Sequence, residues 1–214
     1  AFRGMENQEN PWGLDQNTRA DWSYSITTEV AKIDPDDPGT FLDEQGNFAY
    51  DVLYWVGCAG SFDDRAKKTT QALAGLLERA GIRFAILGKA EKCTGDVARR
   101  SGNEYVFQML ALSNIETLNK LGPPKILTAC PHCFNTIKNE YGAFGGNYEV
   151  EHHTQYLLNL IETGKLDVSK AKFSERVTLH DSCYLTRHNN IVDEPRKIIK
   201  SIDGLDVVEM VYNK

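Results

Sequence analysis

From residue 51 onward, apolar residues alternate between two periods. Val52-Leu53-Tyr54-Trp55-Val56 is an unbroken apolar and aromatic run, read as a buried strand entering Gly57-Cys58. Ala66, Thr70, Leu73, Leu76, Leu77 and Ala80 then recur at helical spacing. Ser61 and Asp64 resemble a capping box at the start of that helix, and Gly81 ends it. Ile82 to Leu87 predicts a second strand, and a loop follows that holds Cys93-Thr94-Gly95. Phe107, Leu110, Ala111, Leu118 and Leu121 predict a helix over 103–121, with Asn114 the polar exception on its apolar face. Gly122-Pro123-Pro124 breaks it, and Lys125-Ile126-Leu127 leads into Cys130-Pro131-His132-Cys133. Tyr148 to Glu151 reads as a further strand, and Leu157 to Ile161 as a short helix closed by Gly164. Strand and helix alternate throughout, which predicts an α/β fold around a parallel sheet.

The last segment replays the first. Val177-Thr178-Leu179-His180 reads as a strand running into Asp181-Ser182-Cys183. A helix from Pro195 carries Ile198, Ile199 and Ile202 and ends at Gly204, and Leu205 to Met210 is the next strand. Cys183 matches Cys58 at an offset of about 125 residues. The expected architecture is therefore two Rossmann-like parallel-sheet units in a pseudo-two-fold repeat, the second incomplete. Residues 47–170 form the first unit and 171–214 begin the second. Residues 1–46 show little periodicity and carry two turn clusters, one at Asn10-Pro11-Trp12-Gly13 and one at Asp34 to Gly39. They are read as an extended arm or linker anchored by Trp12 and Trp22. The chain opens Ala-Phe-Arg-Gly-Met without a signal peptide, and the next ligand of the second unit falls near position 216. It is expected to be part of a longer protein.

A net charge of −6 supplies no basic excess for phosphates, so a nucleic-acid partner is excluded. No apolar run reaches membrane-spanning length. The five cysteines are odd in number and widely spaced, which favours metal-binding thiolates in a reducing, cytoplasmic compartment over a disulfide framework. Each of three strands delivers cysteine to its carboxyl end, so Cys58, Cys93, Cys130 and Cys133 are expected to converge on one sheet edge, where α/β sheets bind ligands. The alternative is a set of buried structural thiols. A thioredoxin-like dithiol at Cys130 and Cys133 alone would not need the other two. Lys89, Lys92, Arg99 and Arg100 flank Cys93 and could tune a negatively charged centre; the alternative is a solvated basic loop. His152-His153 could bind metal, but hydrogen bonding within the fold is the plainer reading.

With Cys58, Cys93-Thr94-Gly95, Cys130-Pro131-His132-Cys133 and His180-Asp181-Ser182-Cys183 in place, residues 48–214 resemble the cysteine-rich Cys-Cys-Gly family. That family includes the cysteine-rich subunit of heterodisulfide reductase, the glycolate oxidase iron–sulfur subunit and iron–sulfur oxidoreductases that work beside electron-transfer flavoproteins. The resemblance implies an electron-transfer subunit of a flavin-linked oxidoreductase. It implies other redox subunits as partners, a flavoprotein among them, and in some relatives a quinone-linked membrane subunit at the inner face of the membrane. Five cysteines per unit hold a non-cubane cluster in the heterodisulfide reductase type. Here Thr94 stands where the second cysteine of the middle motif belongs. Four thiolates remain, the number that a [4Fe–4S] cluster or a tetrahedral zinc requires. Cys183 is the one ligand of a second cluster within these residues, the rest being expected beyond 214. A rival reading places zinc at the first site and confines redox or disulfide-reductase chemistry to the second.

Overall fold

The computed structural model describes residues 1–211. Five parallel strands form the main sheet: β1 (Ala31–Lys32), β2 (Val52–Trp55), β3 (Phe84–Ile86), β4 (Ile126–Thr128) and β5 (Val150–His152). Their order is β1-β3-β2-β4-β5. The expected α/β fold with a parallel sheet is what the chain adopts.

β2 is buried along its whole length because both faces of the sheet are covered, which is why its sequence is continuously apolar rather than alternating. Leu53 and Trp55 face a core built with Phe107, Leu110 and Leu118 of a helix at Glu104–Leu121. Val52 and Tyr54 face the opposite core, built with Leu73 and Leu77 of a helix at Asp64–Arg79 and with Leu157 and Leu160 of a helix at His153–Glu162. In chain order the helices are α1 (Phe2–Gln8), α2 (Gly57–Phe62), α3 (Asp64–Arg79), α4 (Asp96–Arg100), α5 (Glu104–Leu121), α6 (Pro131–Asn135), α7 (His153–Glu162), α8 (Cys183–Asn189) and α9 (Asp193–Lys200).

The chain leaves β2 towards β3 on one side and then crosses over to β4 on the other. The carboxyl ends of β2 and β4 therefore flank the point at which the strand order reverses, where an open α/β sheet leaves a crevice.

The amino-terminal residues are built into this unit. β1 pairs with β3, and Met5, Ile33 and Phe41 are buried in the core. Trp22 is buried as expected of an anchor, whereas Trp12 is half exposed. The turn at Asn10 is held by its own amide, which donates to the carbonyls of Gln8 and Leu14.

Three local expectations shift. The Ser61–Asp64 box is replaced by Asp63, whose carboxylate accepts from the amides of Arg65 and Ala66; a separate short helix, α2, precedes it and contains Cys58. Strand β6 runs Lys172–Val177, upstream of the predicted Val177–His180, because its exposed residues carry no apolar pattern to announce it. Gly204, read as a helix terminator, lies inside β7 (Asp203–Val207) with φ +82°. A Cβ there would collide with the Phe173 carbonyl oxygen, so the glycine serves close strand pairing. β6 and β7 form their own two-stranded parallel sheet.

Candidate metal centre

Each expected cysteine of the first site follows a strand of the main sheet. Cys58 lies in the first turn of α2 after β2, and Cys93 in the loop after β3. Cys130 caps α6 after β4, its sulfur accepting from the Cys133 amide at 3.4 Å, and Cys133 lies one turn inside α6. Cys58, Cys93 and Cys133 are buried and Cys130 is partly exposed.

The thiols meet as two pairs. Cys58 is within hydrogen-bonding reach of Cys93, and Cys130 of Cys133. Cys58, Cys93 and Cys133 are buried in one core, with Cys130 packed against it, so the two pairs share a neighbourhood. A Cβ on Gly57 would lie 3.2 Å from the Cys133 sulfur, so β2 and α6 approach as closely as a glycine allows. Among the described residues, no three histidine, cysteine, aspartate or glutamate side chains are close enough to hold a single metal ion.

One member of each pair is poised as thiolate. The hydrogen bond from Cys93 lowers the Cys58 pKa to about 7 against burial, with help from Arg19. The bond from Cys133 lowers that of Cys130 to about 7, aided by the amides of Cys133 and His132 at the start of α6. Cys93 and Cys133, which donate these bonds and are buried, are pushed up.

The Cys93 loop is fixed from three directions. The Cys93 amide donates to the Glu9 carbonyl at 2.8 Å. Asn114, the polar exception on α5, donates to the Cys93 carbonyl at 3.0 Å and to the Tyr141 hydroxyl at 3.1 Å. Tyr141 in turn donates to the Thr94 carbonyl at 3.2 Å. Gly95 has φ +84°, and a Cβ there would lie 2.8 Å from the Phe107 ring and 3.1 Å from the Phe107 carbonyl oxygen; only glycine fits. The Thr94 side chain is buried beside Cys93.

The basic residues flanking Cys93 are engaged elsewhere. Lys92 pairs with Glu9, Arg99 with Glu140, and Arg100 with both Asp96 and Glu140, while Lys89 is exposed. The cation that reaches a thiol is Arg19, which sequence reading missed. It comes from a stretch without periodicity, and no local signal marks it. Its Nη2 lies 3.4 Å from the Cys58 sulfur and 2.6 Å from Glu91 Oε1. Glu91 also accepts from the amides of Val56 and Gly57, both at 2.8 Å, and so braces the turn that presents Cys58.

His132, between the α6 cysteines, bonds Asp96 through Nδ1 at 2.8 Å. Burial alone would raise the Asp96 pKa, but the bonds from His132 and Arg100 outweigh it and hold the carboxyl low. His152 caps α7 and bonds the Ala129 carbonyl through Nε2, the structural role expected of it.

Cys183 is not brought to the four. It is exposed at the start of α8. That helix packs on α6, however: Tyr184 lies over His132 with ring centroids 4.1 Å apart, and Asn189 bonds Asn135 at 3.1 Å. The fifth cysteine therefore starts a helix docked on the one that carries the C-x-x-C pair.

The profile of the cysteine-rich domain (CCG) family matches residues 52–138 and again 177–214. Among curated relatives, an EtfAB:quinone oxidoreductase from Syntrophomonas wolfei is 43% identical over 211 residues, covering 98% of this chain and 28% of that protein. The Bacillus subtilis protein named "Probable iron-sulfur-binding oxidoreductase FadF" is 42% identical, again over 98% of this chain and 29% of its own length. One subunit of the dihydromethanophenazine:CoB–CoM heterodisulfide reductase of Methanosarcina barkeri is 32% identical over the whole chain and 49% of its own length. The chain thus spans between about a quarter and a half of these relatives. No solved structure matches it.

Proposed function

The chain belongs to the cysteine-rich domain family, and from that premise we propose that it is the electron-transfer, iron–sulfur part of a multi-subunit, flavin-linked oxidoreductase. Cys58, Cys93, Cys130 and Cys133 are the proposed ligands of a [4Fe–4S] cluster. The observation that carries this reading is the arrangement of the thiols: four cysteines from three strand ends, gathered as two pairs in one buried neighbourhood. Four thiolates are the donor set that a [4Fe–4S] cluster or a tetrahedral zinc requires, and the iron–sulfur name of the Bacillus relative favours the cluster. Unpaired donors on a buried cation support the same fit. Nε and Nη1 of Arg19 are buried beside Cys58 without an acceptor among the described residues, which is costly unless anionic sulfur lies within reach.

When bound, such a cluster takes up and releases single electrons. The chain's own residues do the rest. Glu91 and the Asn114–Tyr141 pair hold the Cys58 and Cys93 loops in place, so little needs to reorganise as charge changes. The apolar walls from Leu53, Trp55 and Phe107 exclude water. Arg19 offsets thiolate charge.

The named relatives support other redox subunits as partners, with quinone as an acceptor in the Syntrophomonas case. Among the described residues no helix is long and apolar enough to cross a membrane. A relative from Chromohalobacter salexigens is named "Probable membrane-anchored ferredoxin", which supports a place at a membrane. A second cluster built on Cys183 belongs to the same proposal.

Metal analysis, visible absorption and electron paramagnetic resonance on the intact protein test the reading. A brown protein with about four irons at the first site, lost in Cys58→Ser, is expected. A colourless zinc protein would replace the redox role of this site with a structural one.

A further inference from the structure

We propose that Arg19 sets the reduction potential of the first cluster, with Glu91 as its built-in counterweight. The inference rests on the iron–sulfur reading above and assigns a role to a residue from the stretch ahead of the first unit. Arg19 is 1% exposed, and Phe62 lies beneath its guanidinium at 5.5 Å. Arginine stays charged in any protein, so a full positive charge is buried 3.4 Å from the Cys58 sulfur.

Its partners are too few. Of the guanidinium's five N–H donors, those on Nη2 serve Cys58 and Glu91, while Nε and Nη1 have no acceptor among the described residues. A buried arginine that only pinned Glu91 would be expected to present its fork to both carboxylate oxygens. Here a single 2.6 Å contact is made. The other carboxylate oxygen goes to the Val56 amide instead. The remaining donors are left for an anion at the same place, and the sulfur-rich cluster proposed on Cys58 is such an anion.

A cation and N–H donors beside a cluster favour its reduced, more negative state and raise its potential. Glu91 acts in the opposite sense, although its main-chain contacts keep it in place whatever the cluster's state. The pair thus holds the potential between two extremes, and each member alone should move it in a known direction.

The test is a potentiometric titration of the full-length holoprotein, with the first site's resonance identified by its loss in Cys58→Ser. Arg19→Gln should lower the ratio of reduced to oxidised cluster about tenfold at a fixed poise, or ~59 mV for a one-electron couple. Glu91→Gln should raise it, the double variant should fall between the two, and Arg19→Lys should stay nearer the parent than Arg19→Gln. Thermal unfolding is followed in parallel. A lowered melting temperature with an unmoved potential in Arg19→Gln would reduce Arg19 to a structural brace and overturn the inference. If Arg19→Gln fails to load iron, Glu91→Gln and Arg19→Lys decide: an unraised potential in the first, or a shift in the second as large as loss of the charge would give, also overturns it. A parent protein without iron at this site would instead defeat the underlying cluster reading.

Discussion

Replacing Asn114 with leucine isolates the bracket that holds the Cys93 loop. Leucine keeps asparagine's branched outline with bulkier methyls, so the α5 helix should survive while any overpacking adds to the cost of the lost bonds. What disappears is one amide nitrogen that serves two acceptors, the Cys93 carbonyl at 3.0 Å and the Tyr141 hydroxyl at 3.1 Å. Both lie in buried surroundings, since Asn114 is 2% exposed and Tyr141 is fully buried. Stranding a buried acceptor costs about 1–3 kcal/mol, and Tyr141 keeps its own donation to Thr94. The expected loss is therefore about 2–4 kcal/mol, a large part of a domain's ordinary stability. Urea unfolding of the metal-free chain measures it as a fall in midpoint with unchanged slope. Tyr141→Phe should cost less in the Asn114→Leu background than in the parent, because the two share a network. Iron incorporation should fall in Asn114→Leu as the Cys93 carbonyl loses its anchor. A change below about 0.5 kcal/mol, or strict additivity with Tyr141→Phe, would refute the bracket as the element that fixes this loop.

Gly95→Ala should destabilise by about 2–4 kcal/mol, since a left-handed residue would carry a Cβ into Phe107 and its backbone; a neutral result in the same unfolding assay would count against the tight approach of loop and helix. Burial depresses the His152 pKa to about 3 and that of His153 to about 4, from an ordinary 6.5. Their contribution is complete above pH 6.5 and is lost on acidification, as the unfolded chain takes up protons that the fold refuses. About 2–3 kcal/mol per histidine should be gone by pH 4.5, and His153→Gln should flatten the pH dependence of unfolding by about one proton; an unchanged slope would show the ring to be solvated. Cys183→Ser should leave the iron content of the first site untouched, because Cys183 is exposed where the proposed ligands are buried or partly buried; joint loss of iron would tie the two sites together. Thr94→Cys places a fifth thiol beside Cys93 in a buried position, so the resonance of the first site should change; an identical spectrum with the thiol shown to be present would argue that position 94 does not face the cluster.

Much of the fold was legible because burial on both faces of a parallel sheet leaves a clear mark. β2, β3 and β4 are short apolar runs, and each carries its cysteine soon after its end, so position along the chain became position in space. α5 matched its predicted span almost to the residue. The segment after residue 171 was harder. β6 and β7 are mostly exposed, so polarity hid the strands and the apolar residues nearby drew the boundary downstream. Gly204 misled for a related reason: a positive φ serves a strand pairing as well as a helix terminus, and only the approach of Phe173 distinguishes them.

The residues that the sequence left unmarked around the cysteines have one property in common. Arg19, Glu91 and Tyr141 are buried polar groups whose partners are separated from them by 27 to 72 positions. Periodicity cannot announce such groups, because each is an exception to its local pattern. Asn114 was visible as that kind of exception, on an otherwise apolar helix face, without a sign of what it would bind. In an ordinary core each would carry a desolvation cost with little return. Here every one of them leads to a cysteine: Arg19 to a sulfur, Glu91 to the amides that present Cys58, Asn114 to the Cys93 carbonyl, and Tyr141 to the next carbonyl along. Violations of the hydrophobic pattern thus collect where the thiols do. Gathering four thiols at an apolar sheet edge, one of each pair poised as thiolate, demands charge compensation and rigid loops, and these buried polar residues provide both.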